Sequence, residues 1–308
     1  MSRPEPVAVV HLARQLNGEA ALQAFVRSYA ANEAGMPHRL VAVLKGYDEG
    51  SAADLSARRL LGPLDAEVLR VPDDGLDLDA YRAAVAATGY AHYLFLNSFV
   101  RFEATGWLQK IFACGSRQGV GIAGATGSWQ SVVSDEIDLI RGRIRQRFGP
   151  PEASPPGAAE APASASPRRP TESGALAACG ALWHSFRRFP AFPNHHIRTN
   201  GFLLSRAVLS RLTWARTATK LDAHLIESGR NGLTAQVLRA GLEAVVVGRD
   251  GRGYPRHQWH ASGAFWQGDQ ENLLIADNKT KQYQDASPAE RQWLSRSAWR
   301  GLAAPGKG

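Results

Sequence analysis

The sequence predicts an α/β fold, a doubly wound and mostly parallel sheet, and three observations carry that expectation. Short apolar runs alternate with amphipathic, helix-like stretches, the breaks between them are short, and the runs are apolar at consecutive positions, as in strands buried on both faces. Parallel neighbours need a crossover connection, and right-handed helical crossovers supply it. The 308 residues allow one large or two ordinary domains, and 44% hydrophobic residues can fill a core, which excludes a wholly disordered chain.

The elements follow in order. VAVVHLA (7–13) predicts the first strand, and EAALQAFVRSYAANEAG (19–35) an amphipathic helix closed by Gly35. HRLVAVLKG (38–46) is a second strand, DLSARRLLG (54–62) a short helix, AEVLRVP (66–72) a third strand and DLDAYRAAVAAT (77–88) a helix. YAHYLFLNS (90–98) is a fourth strand, ATGWLQKIFACG (104–115) a helix and GVGIAGATG (119–127) a fifth strand. Further on, HHIRTNGFLLSRAVL (195–209) reads as a strand reached from a polar loop, KLDAHLIES (220–228) as a helix with Gly229 as its C-cap, GLTAQVLRAGL (232–242) as a helix and EAVVVG (243–248) as a strand.

The charge is uneven. Lys and Arg number 36 against 28 Asp and Glu, a formal +8, and residues 141–188 hold eight Arg against three Glu, so five of the eight excess charges lie there. Within that span, residues 149–178 hold seven of the 17 prolines, which fix φ and remove donors; a disordered Pro/Ala-rich insertion is expected. It divides the chain into residues 1–140 and 180–300, read together as one unit over 1–300. The two cysteines, Cys114 and Cys179, form neither a disulfide framework nor a Cys-rich zinc site, and suggest a reducing compartment. No apolar run is long enough to cross a bilayer, and the first residues lack a cleavable leader, so the expectation is a soluble, cytoplasmic chain. Nucleic acid is disfavoured as a partner: the sequence shows no groove-entering motif, and the Arg residues gather around the insertion.

Doubly wound sheets bind ligands beyond the C-terminal ends of their strands, so the strand ends are the places to look. After the first strand come His11 and Arg14, with no GxGxxG, and no P-loop occurs anywhere in the chain. The second strand ends in Lys45-Gly46-Tyr47-Asp48-Glu49, which combines a cation for phosphate, an aromatic face and an acceptor, or forms a solvated turn. Asp73 and Asp74 follow the third strand, and Asn97-Ser98-Phe99 the fourth, where small polar side chains either meet a ligand or cap a turn.

The run VAVVHLAR with its helix and SYAANEAG, then HRLVAVLKG, then YLFLNS followed by GWL, resembles the nucleotide-sugar-binding half of a bacterial GT-A glycosyltransferase related to family 2. The resemblance covers most of residues 5–285 outside the insertion. It implies a GT-A-like sheet with a donor-binding half over 1–140 and an acceptor half over 180–300. In that family the fourth strand commonly ends in a DxD motif whose carboxylates hold Mg²⁺ or Mn²⁺ on the donor diphosphate. This chain has Asn97-Ser98-Phe99 there, so the metal ligands are unknown. Either Lys and Arg side chains neutralise the leaving diphosphate, or other oxygens hold a metal, or activity is lost.

The resemblance further implies that Arg198, Thr199 and Asn200 line a sugar pocket, and that Glu227, in an ESG string at a helix end, is the general base, with Asp222 second. Five residues apart on a helix, the two carboxylates point about 140° away from each other, so only one can serve one site. Trp259 and Trp266 form either a sugar platform or plugs at a core edge. Asp277-Asn278-Lys279 offers a ligand contact or only a helix N-cap. Donor-side residues are then His11, Arg14, Lys45, Asp48, Asp73, Asn97 and Ser98. The implied activity is inverting transfer of a hexose from a nucleotide-sugar to a saccharide or lipid-linked acceptor, as in cell-surface polysaccharide synthesis, with peripheral contact at an anionic inner-membrane face. The alternative is a non-catalytic saccharide-binding protein on the same scaffold. The last stretch, 287–308, begins as an amphipathic helix with Trp293 and Trp299, expected to pack on the rest or touch a membrane.

Overall fold

The computed structural model describes residues 7–138, 183 and 185–302; the insertion at 149–178 and the Arg residues between 141 and 169 lie outside the described residues. In chain order the first part holds β1 (Val7–Arg14), α1 (Glu19–Ala31), β2 (Arg39–Lys45), α2 (Ala52–Leu61), β3 (Glu67–Val71), α3 (Asp77–Ala87), β4 (His92–Leu96), β5 (Arg101–Phe102), α4 (Trp107–Gly115), β6 (Val120–Gly124) and β7 (Gly127–Ser128). After the insertion come β8 (His196–Ile197), β9 (Phe202–Ser205), β10 (Glu243–Val247), β11 (Gly253–Pro255) and β12 (Ile275–Ala276), with helices at Lys220–Ser228, Leu233–Arg239, Asn278–Asp285 and Pro288–Trp299.

Eight strands form one mixed sheet in the order β11-β10-β6-β9-β4-β1-β2-β3. β1 pairs in parallel with β2 and β4, β2 with β3, and β10 with β6, which confirms the α/β, mostly parallel reading. β9 departs from it: the strand runs antiparallel between β4 and β6, pairing Phe202 with both Phe95 and Gly124. The predicted strand over 195–209 is thus two short strands, β8 and β9, separated by the polar segment Arg198-Thr199-Asn200-Gly201 and followed by a helical turn at Arg206–Leu209.

Both faces of the sheet are covered, which explains the continuous apolar runs. Val7, Val9 and Ala13 of β1 pack with Leu22 and Phe25 of α1, and alternate residues Ala8, Val10 and Leu12 belong to the opposite core, with Tyr81 of α3, Phe95 and Phe202. α1 stops at Ala31, short of Gly35, because Asn32 turns extended (φ −128°) and the Trp107 indole N–H donates to its carbonyl at 3.0 Å. Gly35 instead takes φ +80° at a close approach: a Cβ there would lie 2.8 Å from Gln109 Oε1 and 2.9 Å from the Gly106 Cα.

The Gly-rich stretch after β10 builds much of the second core. Trp259 is fully buried and donates its indole N–H to the Tyr254 carbonyl at 3.0 Å; Trp266, also buried, donates to the Lys279 carbonyl at 3.1 Å and stacks on Phe265. Neither ring offers an open face, so the pair takes the core position and not that of a sugar platform. The Pro288–Trp299 helix starts with a Ser287–Glu290 capping box and buries Leu294, Ala298 and Trp299, leaving Trp293 exposed. Among the described residues no helix is long and apolar enough to cross a membrane.

Candidate functional site

The C-terminal ends of β1, β2, β3 and β4 meet at one edge of the sheet. Lys45 ends β2 with only 1% of its side chain exposed, and donates to Asp73 Oδ1 at 2.8 Å and to the Gly75 carbonyl at 2.9 Å. Arg14, ending β1, holds the same carboxylate in a fork, Nε to Oδ1 at 2.8 Å and Nη2 to Oδ2 at 3.0 Å. The hydrogen bonds from Arg14 and Lys45 hold the Asp73 carboxyl down to about 2. Lys45 is therefore spent on Asp73, where the strand-end reading had it free for phosphate. Asp48 lies exposed beyond β2, and Asp74 is exposed and paired with Arg216.

His11 sits apart from this edge. It is fully buried in β1, stacked on Phe25 with ring centroids 3.5 Å apart, and burial pushes its pKa down to about 3. A neutral ring in the α1-side core meets no donor ligand there.

Beyond β4, the side chains of Asn97 and Ser98 serve the backbone. Asn97 Oδ1 accepts from the Phe99 N–H at 2.9 Å, and Ser98 Oγ donates to the Leu12 carbonyl at 2.8 Å. Asn200, buried between β8 and β9, accepts the Asn97 N–H at 2.9 Å, so the β4 end and the 198–201 loop are locked together.

That loop carries the reactive groups. Thr199 donates its backbone N–H at 2.7 Å, and its hydroxyl as well, to Glu227 Oε2 at the end of the Lys220–Ser228 helix. Burial alone would raise the Glu227 pKa, but Arg198, His196 and the two Thr199 bonds outweigh it and hold the carboxyl below its ordinary value. No hydrogen bond reaches Oε1 among the described residues. Asp222, on the far side of the same helix, takes the Ala218 and Thr219 N–H groups on Oδ2 in a capping box and is turned away from the loop.

Arg198 lies over the Phe265 ring, its Cζ 4.6 Å from the centroid, with Nη2 3.7 Å from Asp277 Oδ2. Asp277 caps the Asn278–Asp285 helix through Oδ1, which accepts from the Lys279 and Thr280 N–H groups at 2.9 Å. The N-cap and the approach to Arg198 thus coexist on one carboxylate. Asn278 is exposed, and Lys279 reaches Gln282. A cleft of about 340 Å³ opens beside this corner, lined by Asn17, Ser98, Phe99, Arg101, Asp277 and Lys281.

Three residues that sequence reasoning passed over belong to the same edge. Asp77 opens α3, and its surroundings push its carboxyl above the ordinary range against the pull of Arg14 and Lys45. Tyr81, one helical turn later, is fully buried on Phe95 at 4.9 Å, and Trp214 packs edge-on against the same ring at 5.8 Å. The i, i+4 spacing of Asp77 and Tyr81 just after a strand end was the available signal. Among the described residues, no three His, Cys, Asp or Glu side chains converge to hold a metal ion. With Asn97 and Ser98 committed to the backbone and Asp277 facing a guanidinium, this edge does not fit a dedicated divalent-metal site.

No family model matches the chain, and no curated protein matches it in sequence. Among solved structures it is similar to glucosyl-3-phosphoglycerate synthase from Mycobacterium tuberculosis in complex with Mn²⁺, UDP-glucose and glycerol 3-phosphate, at 14% identity and a TM-score of 0.40 over 75% of this chain and 68% of that one. It is also similar to the mannosyltransferase PcManGT from Pyrobaculum calidifontis in complex with GDP-Man and Mn²⁺, at 13% identity and a TM-score of 0.33 over 46% and 39% of the two chains. A third, GalNAc-T7 with UDP, GalNAc and Mn²⁺, aligns at 15% identity and a TM-score of 0.31 over 40% and 23%. The chain spans 39% of the mannosyltransferase and, in another complex of the synthase, 62% of that protein.

Proposed function

We propose that this chain is a glycosyltransferase that moves a hexose from a nucleotide-sugar to a saccharide or lipid-linked acceptor. The observation that carries this reading is the meeting, at the 198–201 loop, of the ionised Glu227 carboxylate anchored on Thr199 with an incompletely paired guanidinium at Arg198. An acceptor hydroxyl within about 2.6–3.2 Å of Glu227 Oε1 gives its proton to that oxygen as its own oxygen bonds to the anomeric carbon. The bond from that carbon to the diphosphate breaks in the same displacement, and its charge leaves toward Arg198. A single displacement inverts the anomeric centre. Arg14, Asp48 and Asp73 form the nucleoside side, Asn97 and Ser98 fix the β4 end, and Asn200 couples it to the acceptor loop. Residues 1–140 then serve as the donor half and 180–300 as the acceptor half, at work on cell-surface polysaccharide at the inner membrane face.

The test is turnover of UDP-, GDP- and CMP-sugars by the full chain, with and without Mn²⁺, alone and with saccharide acceptors. Glu227→Gln lowers kcat by about 10²-fold or more, with nucleotide binding unchanged. If no donor is turned over and no nucleotide binds, the reading falls. The second reading, a saccharide-binding protein without catalysis, is favoured by the commitment of Asn97 and Ser98 to the backbone. Nucleotide or saccharide binding without turnover supports it.

A further inference from the structure

Four buried side-chain atoms near the C-terminal edge of the sheet have no hydrogen-bond partner among the described residues: Tyr81 Oη, Trp214 Nε1, Arg198 Nη1 and Asp277 Oδ2. They form two neighbouring pairs, linked by the short run of chain from Arg198 to Phe202 and by the field of the Asp277 carboxylate at Tyr81. Tyr81 and Trp214 both pack on Phe95, Phe95 packs on Phe202 at 5.0 Å, and Arg198 approaches Asp277. Burial raises the Tyr81 pKa well above its ordinary value, and the Asp77 and Asp277 carboxylates raise it further, so the phenol stays protonated and keeps a hydrogen to donate. A buried polar group without a partner is expensive, and native proteins seldom leave several side by side unless water or a ligand completes them.

The missing partners have a definite chemistry. Trp214 and Arg198 can only donate, Asp277 can only accept, and Tyr81 does either. A ring bearing several hydroxyls satisfies all of them at once when an anionic group lies next to it: hydroxyl hydrogens go to Asp277, hydroxyl oxygens take the Trp214 and Tyr81 hydrogens, and the anion meets Arg198.

The wall over this place is the segment 213–217, fastened mainly by polar contacts. Thr213 N–H donates to Gln236 Oε1 at 2.7 Å, Arg82 Nη1 to the Trp214 carbonyl at 3.4 Å and Thr217 N–H to Asp79 Oδ2 at 2.9 Å, and Arg216 pairs with Asp74 in the open. Trp214, half-buried, is the apolar plug of that strap.

We propose that Tyr81, Trp214 and Asp277, with Arg198 at the diphosphate side, form the subsite for the sugar ring of the donor, and that the 213–217 strap opens to admit it. This rests on the glycosyltransferase reading. The test uses the full chain with Tyr81→Phe and Trp214→Phe, isothermal titration of UDP-glucose and GDP-mannose against UDP and GDP, and thermal melting of the free proteins.

Loss of one completed hydrogen bond weakens nucleotide-sugar binding about fivefold to tenfold in each variant and leaves the free nucleotide within about twofold. In the free protein Tyr81→Phe removes an unpaired hydroxyl, so its Tm stays level or rises. A Tm lowered by several degrees, or a variant that does not fold, means that the hydroxyl has a structural partner, and overturns its role. Wild-type-like sugar discrimination in both variants overturns the subsite while leaving the transferase reading intact. If the wild-type chain binds no nucleotide at all, the transferase reading fails, and the subsite with it.

Discussion

Thr199 gives both its backbone N–H and its hydroxyl to one oxygen of Glu227, leaving the other oxygen without a hydrogen bond among the described residues. Because the carboxyl is held below its ordinary value, its contribution to stability is present above the unfolded pKa and is lost as pH falls through the folded one. Thr199→Ala deletes the hydroxyl bond and moves the Glu227 pKa up. The acid limb of kcat/KM therefore shifts to higher pH, and stability at pH 7 drops by about 1–2 kcal/mol. A variant whose acid limb coincides with the wild type's removes Glu227 from the base role.

Asp73 serves two cations, one of them buried. Asp73→Asn leaves the Lys45 ammonium in the interior with neutral acceptors alone, the Gly75 carbonyl and an amide oxygen, whereas Lys45→Met removes the buried charge itself. Asp73 is about 39% exposed, which screens the pair, so a loss of about 1–3 kcal/mol is expected for Asp73→Asn and less for Lys45→Met. Urea unfolding at pH 7 ranks the two variants, and the reverse order would falsify the account of Lys45 as a cation committed to Asp73.

His11 makes the fold sensitive to mild acid. With its pKa pushed to about 3, the unfolded chain binds a proton between pH 6.5 and about 3 that the folded chain refuses, so stability falls as pH drops through that window. The steepest slope is about 1.4 kcal/mol per pH unit for one such group. His195, pushed down to about 4, adds in the same range. His11→Leu keeps the contact with Phe25 and removes one share of the slope, which denaturant midpoints measured from pH 7 to 5 will reveal as a flatter curve.

Gly35→Ala tests the approach of the α1–β2 connection to α4. A methyl group at φ +80° meets Gln109 and the Gly106 backbone, and a loss of about 2 kcal/mol follows from backbone strain and the clash. A melting temperature equal to the wild type's would mean that this connection relaxes freely.

Most strands of the sheet were legible because burial on both faces writes a continuous apolar run, and the strand-end rule then pointed at Arg14, Asp73 and Asn97. What those residues do was not legible. Lys45 looks like a phosphate cation until Asp73, 28 positions later, closes on it through the register of β2 and β3. Trp259 and Trp266 looked equally like a platform or a plug, because their N–H partners are backbone carbonyls that local pattern does not announce. Tyr81 reads as an ordinary apolar position of an amphipathic helix, and Trp214 as a loop aromatic; only tertiary packing on Phe95 brings them together. The antiparallel course of β9 was equally hidden, since a four-residue apolar strand carries no sign of its direction.

β9 also sets the order in which the molecule can assemble. β4 and β6 are not bonded to each other; the strand that joins them is made only after the whole insertion has been synthesised. Until then a nascent chain holds the β9-facing edge of β4 and both edges of β6 unpaired, each a template for pairing with another chain. Contacts of this sequence separation slow folding, because a long loop must close before they form. The 198–201 loop, which presents Arg198 and anchors Glu227, is contiguous with β9, so the site is complete only when the sheet has closed.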